Sequence, residues 1–160
     1  MSLPDVTRHG TRRLRQIWVL FVIPVLVAIA LVVVATPAPS SGNTGLFALI
    51  VSVVAVIDFA AVFWIRSVGA GAILAAESNA EIRDAYLRRM VLSCAFATAP
   101  PILACAFAIV AGTTTAFLVI AATSLVLLVH AGPRAGDIAR LDARMVDAGR
   151  PFRVAAALDV

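Results

Sequence analysis

Residues 17–35 read IWVLFVIPVLVAIALVVVA, a run without a single charged side chain. About twenty apolar residues at 1.5 Å each cross the ~30 Å hydrocarbon core of a bilayer, so this run predicts a membrane-spanning helix. Arg12, Arg13 and Arg15 stand just before it. Thr36-Pro37-Ala38-Pro39-Ser40-Ser41-Gly42-Asn43 ends it with prolines, glycine and small polar residues. A cleaved signal peptide shares this order of basic, apolar and small residues, but its apolar core spans only ~7–15 residues. The reading adopted is therefore a retained helix.

Three further apolar runs follow. Leu46 to Ile65 is interrupted only by Asp58 and reaches Arg66; Ser67 to Ala76 is again small and apolar, with Gly69-Ala70-Gly71 inside it. Either the second helix stops at Arg66 or it runs on to Ala76 while Arg66 snorkels to the headgroups. Glu77 to Arg89 is polar and helix-compatible, with Glu81 and Arg88 on one side, and reads as a solvated helical connector. Met90 to Gly112 carries Pro100-Pro101 near its middle, which removes two backbone donors and predicts a kink. Gly112 to Thr115 forms a short turn, and Ala116 to Ala131 closes at Gly132-Pro133-Arg134. The expected architecture is an all-α integral membrane four-helix bundle with spans at 16–36, 46–66, 90–112 and 116–131. A basic tail (1–15) precedes it and an amphipathic tail (133–160) follows.

Composition agrees. The chain is 62% hydrophobic with a mean hydropathy of +1.02, above the roughly half-apolar content of soluble domains. All 13 basic residues are Arg, and they flank the apolar runs, so the net charge of +4 points to topology and anionic headgroups, not nucleic acid. The turns at 36–45 and 112–115 hold no charge, whereas every arginine lies in the N-terminal tail, at the Arg66-to-Arg89 connection or in the C-terminal tail. With four spans those three segments share one side, and the positive-inside rule makes it the cytoplasm for both termini. Arg66, Arg88, Arg89 and Arg134 then join the N-terminal arginines as membrane-interface anchors, with Trp18 and Trp64 as belt residues. Exclusive use of Arg with abundant Ala and Val fits a GC-rich bacterium, hence the inner (plasma) membrane.

After Pro133, Ile138, Leu141, Met145 and Ala148 recur at helical spacing opposite Asp137, Arg140, Arg144 and Asp147. This tail either lies on the inner leaflet, docks on the protein, or frays after Gly149. Sliding the chain by 76 residues superposes Arg12-Arg13-Leu14 on Arg88-Arg89-Met90, and Pro24 on Pro100. A parallel two-hairpin repeat would produce this overlay; so would coincidence in a chain this rich in Ala and Val.

Asp58 is the residue that stands out for chemistry. It lies about 12 Å along the helix from Arg66, and an ionised Asp near the bilayer centre costs about 2.5–3.5 kcal/mol. It must face the bundle and find a hydrogen bond, meet a partner helix, or take part in a proton or cation path. Ser93, Thr98, Thr123 and Ser124 are the hydroxyls on other spans within the choice, and Asp58 with Thr98 is the candidate polar site. His130 sits at a helix end. Cys94 and Cys105, about 16 Å apart on one helix, cannot pair with each other. There is no Ser/His/Asp grouping, metal-ligand spacing or nucleotide loop, so no cofactor, metal or catalytic residue is expected.

Leu92-Ser93-Cys94-Ala95-Phe96-Ala97-Thr98-Ala99-Pro100-Pro101-Ile102, following the arginine-bearing connector and Gly69-Ala70-Gly71, resembles the second helix of the rotary ATP synthase c subunit family. The resemblance covers a quarter to a third of the chain and implies a c-like hairpin of helices two and three. It departs where that family carries its ion-binding carboxylate, because Thr98 stands there, and the turn lacks the family's Arg-Gln-Pro. Rotary ion translocation is therefore not implied. The functional expectation is a non-enzymatic accessory, assembly or scaffolding subunit that contacts membrane lipids and other membrane subunits or copies of itself. The alternative is a small oligomeric transporter or ion-pathway component that uses Asp58.

Overall fold

The computed structural model describes the backbone of residues 7–35, 44–111 and 114–158. The first six residues, the expected turn from Thr36 to Asn43, and Gly112-Thr113 lie outside the described residues. Every described element is a helix: α1 (Thr7–Ala35), α2 (Thr44–Ala75), α3 (Asn79–Ala111), α4 (Thr114–Ala131), α5 (Ala135–Asp147) and α6 (Val154–Leu158). The first four are long and apolar enough to cross a membrane, which makes this a multi-pass membrane protein.

Arg66 does not stop α2. The helix passes through it, and through two glycines, to Ala75, so its 32 residues extend about 48 Å. The polar segment from Glu77 to Arg89 is not a separate connector. It forms the turn and the first three turns of α3, whose 33 residues extend about 50 Å. Both helices therefore outreach the hydrocarbon core at the same end. Ser78 starts α3: its Oγ accepts from the Glu81 N–H at 3.2 Å, while the Glu81 carboxylate accepts from the Glu77 N–H at 2.8 Å. This reciprocal arrangement satisfies two donors that the helix itself cannot. Solvation of the segment is one-sided, for Ile82, Tyr86 and Met90 are buried at i, i+4, i+8.

α3 is the hub, packed on α1, α2 and α4. α1 and α2 each also touch α4, yet among the described residues they do not pack on one another. Thr98 Oγ1 points to the Phe21 carbonyl at 3.4 Å and Cys105 Sγ to that of Ala28 at 3.8 Å, both across 77 residues. A constant offset with both numbers rising means that α1 and α3 run parallel, side by side. Small side chains allow this approach, as Ala28, Ala97, Ala108 and Ala121 are all buried.

At the arginine-bearing ends of α1, α2 and α3 the core of the spans continues onto α5 and α6 without a break. Leu14, Ile73, Ile82 and Tyr86 meet Leu141 and Met145 of α5 and Val154 and Leu158 of α6. Each such buried aliphatic side chain contributes about 1.5–3 kcal/mol. α5 is closed two residues past its end by Gly149 (φ 67), where Gly149 N–H donates to Val146 O at 2.9 Å and Arg150 N–H to Met145 O at 2.9 Å. That left-handed closure reverses the chain. Asp142 then accepts the Val154 N–H and starts α6, so the tail docks on the protein instead of fraying after Gly149.

Candidate functional site

Two charged places lie at different depths. The deeper is Asp58, 6% exposed, midway along α2. It opens on a cavity of about 560 Å³ between α2 and α3, lined otherwise by apolar residues that include Ile57, Ala61, Phe96, Pro100, Leu103 and Phe107. Pro100 and Pro101 lack an N–H, so the carbonyls of Phe96 and Ala97 lose their helical donors; of these four residues Phe96 and Pro100 line the cavity. None of the four hydroxyls considered for Asp58 reaches it. Thr123 Oγ1 donates to Val119 O at 2.9 Å, and Thr98 Oγ1 to Cys94 O at 2.7 Å. Ser93 and Ser124 are buried with no hydrogen-bond partner among the described residues. Thr98 does not line the Asp58 cavity but lies on the α1 side of α3. Asp58 and Thr98 are therefore not brought together, and no described residue donates to the Asp58 carboxyl.

The shallower place is a cluster that joins four helices. One oxygen of Asp137 on α5, Oδ2, accepts from Arg66 Nη2 of α2 at 3.0 Å and Arg89 Nη1 of α3 at 3.2 Å. Arg66 Nη1 donates to the His130 carbonyl at 2.7 Å, in the last turn of α4, where carbonyls lack helical donors. A cation there also faces the negative end of the helix dipole. Arg134 Nη1 lies 3.4 Å from His130 Nδ1. A guanidinium only donates, so this contact is a hydrogen bond in the tautomer whose proton is on Nε2. The side chains of Arg89, Arg66 and Asp137 are 8, 15 and 19% exposed, which sets the triad apart from weak surface pairs. Two guanidiniums against one carboxylate leave the centre positive, and Arg89 Nε has no hydrogen-bond partner among the described residues. The arm of Arg89 crosses α2 at Gly69, where a Cβ would lie 2.7 Å from Arg89 Cγ.

The remaining expected anchors fall into two sets. Arg12, Arg13, Arg15, Arg88 and Arg134 are exposed, as is Trp64. Trp18 turns inward instead: its indole N–H donates to Leu128 O at 2.7 Å and the ring lies over Gly132. Asp137 escaped sequence reasoning because, within α5, it reads as one more residue of the polar side. The available signal was that Arg66 and Arg89 border spans with no acid within one helical turn. Among the described residues no group of three His, Cys, Asp or Glu side chains is placed to hold a metal. No known protein family, curated protein or solved structure matches the chain.

Proposed function

We propose that the chain is a non-enzymatic accessory subunit of a bacterial inner-membrane assembly, acting through helix packing, with its arginine-rich end and both termini in the cytoplasm. One observation carries this reading: a buried carboxyl in an apolar cavity within the span, with no donor from its own described residues. Uncompensated polar groups in hydrocarbon are costly, and a donor from a neighbouring helix relieves that cost. The parallel-repeat reading is supported by the α1–α3 register of 77, one residue from the overlay of 76, although α3 packs on α4 while α1, among the described residues, does not pack on α2. From the c subunit likeness the proposal keeps only a helical hairpin of α2 and α3.

The test is purification from native membranes in mild detergent, with mass spectrometry of what stays bound, for the wild type, Asp58→Asn and Asp58→Leu. The expected result is a stoichiometric membrane partner that survives poorly in Asp58→Asn and is absent with Asp58→Leu, while helicity is unchanged. A partner retained by all three forms removes Asp58 from the interface. A clean homo-oligomer sinks the accessory reading and favours the second one, an ion path. Pro100, which lines the same cavity as Asp58 and frees the Phe96 carbonyl from its helical donor, speaks for that path, and its test is flux through reconstituted Asp58→Asn.

A further inference from the structure

The triad does not end at Asp137. Beside it a cavity of about 280 Å³ is lined by Arg66, Arg89, Arg140 and Arg144, with Asp137 as its acid. Four guanidiniums face one carboxylate, and Arg140 and Arg144, both on α5, make no ion pair among the described residues. Such a cavity attracts an anion, and forked guanidiniums suit the oxygens of a phosphate. Phe63 and Ser67 line this cavity and also the head of an apolar groove of about 780 Å³, which descends along α2 past Trp64, Phe59 and Val56 with Thr123 of α4 on its other bank. From Ser67 to Ala55 the groove covers about 18 Å of helix, close to the ~15 Å depth of one leaflet.

We propose that the cavity under α5 and the groove running from it form a single site for one anionic phospholipid. The phosphate sits among Arg66, Arg89, Arg140 and Arg144, and an acyl chain lies between α2 and α4. Free phosphate or a soluble phosphate ester would use the cavity alone; the continuity and leaflet-matched length of the groove assign the occupant to the bilayer. The site lies beyond the Asp58 cavity and does not depend on it.

The experiment is native mass spectrometry of delipidated protein titrated with phosphatidylglycerol, phosphatidylcholine or inorganic phosphate. One phosphatidylglycerol per chain should be retained in preference to phosphatidylcholine, and inorganic phosphate should not displace it. Each arginine near an anionic headgroup contributes about fivefold in affinity, so Arg140→Gln/Arg144→Gln should weaken retention roughly twenty-five-fold. Arg150→Gln/Arg153→Gln removes equal charge from outside the cavity and should leave retention unchanged. In a Trp18→Phe background, phosphatidylglycerol with brominated chains should quench Trp64 more strongly than brominated phosphatidylcholine does. Equal retention of the two lipids, equal loss in both double variants, displacement by phosphate, or absence of selective quenching would each overturn the assignment. If Trp18→Phe fails to fold, the titration series decides alone.

Discussion

Gly69 and Gly71 are two residues apart on one helix and have opposite roles. A methyl group added at Gly69 would meet Arg89 Cγ at 2.7 Å and Cβ and Cδ at 2.9 Å, the stiff base of that side chain and not its free tip. α2 and α3 would have to separate, or Arg89 would have to leave Asp137. Overpacking of this kind costs about 1–3 kcal/mol. At Gly71 nothing lies within 4 Å, so an added methyl meets open space and only improves helix propensity, by up to about 1 kcal/mol. Gly69→Ala should therefore lower, and Gly71→Ala raise, the unfolding midpoint followed by helical circular dichroism in one detergent. Equal shifts would mean that Arg89 does not rest on α2 as described.

At the scale of elements, α5 and α6 are held by side-chain geometry that propensity does not show. Asp142 supplies the acceptor for the Val154 N–H, and α6 buries Val154, Ala157 and Leu158 behind it. Losing such a cap costs about 1 kcal/mol, which multiplies the open population roughly fivefold. Trypsin cleavage after Arg153 should accelerate by that factor in Asp142→Ala, provided reclosing outpaces cleavage; the Arg150–Pro151 bond resists the protease. An unchanged rate would show that α6 stays docked without the cap. Hydropathy made the four long helices legible, since charge-free runs such as 17–35 and 116–129 report helix existence in one dimension. Helix ends were less legible. The start of α3 at Asn79 was hidden because Glu77 to Arg89 is polar, although Ser78-Asn79-Ala80-Glu81 carries a capping signature. Of the triad only the unmatched arginines were legible, because the choice of Asp137 over Glu77, Glu81 or Asp84 rests on how four helices converge.

For the whole molecule, the decisive fact is that α3 holds the spans together while, among the described residues, α1 and α2 do not pack on one another. In a Cys94→Ala background, Ala28→Cys should form an oxidative cross-link with Cys105, whose sulfur already lies 3.8 Å from the Ala28 carbonyl. Val34→Cys, on the exposed side of α1, should not. Non-reducing electrophoresis separates the two results, and cross-linking at Val34 alone would require a different placement of α1. This arrangement also orders the protein's biogenesis. When α1 and α2 leave the ribosome their described residues have no contact to make with each other, so a chain halted at Ala75 would hold two helices whose packing partners are still unmade. Assembly waits for α3, which gathers both. Arg66 and Arg89 wait longer still, because their shared counterion is residue 137, so the nascent chain carries two arginines in search of an acid until α5 has been made.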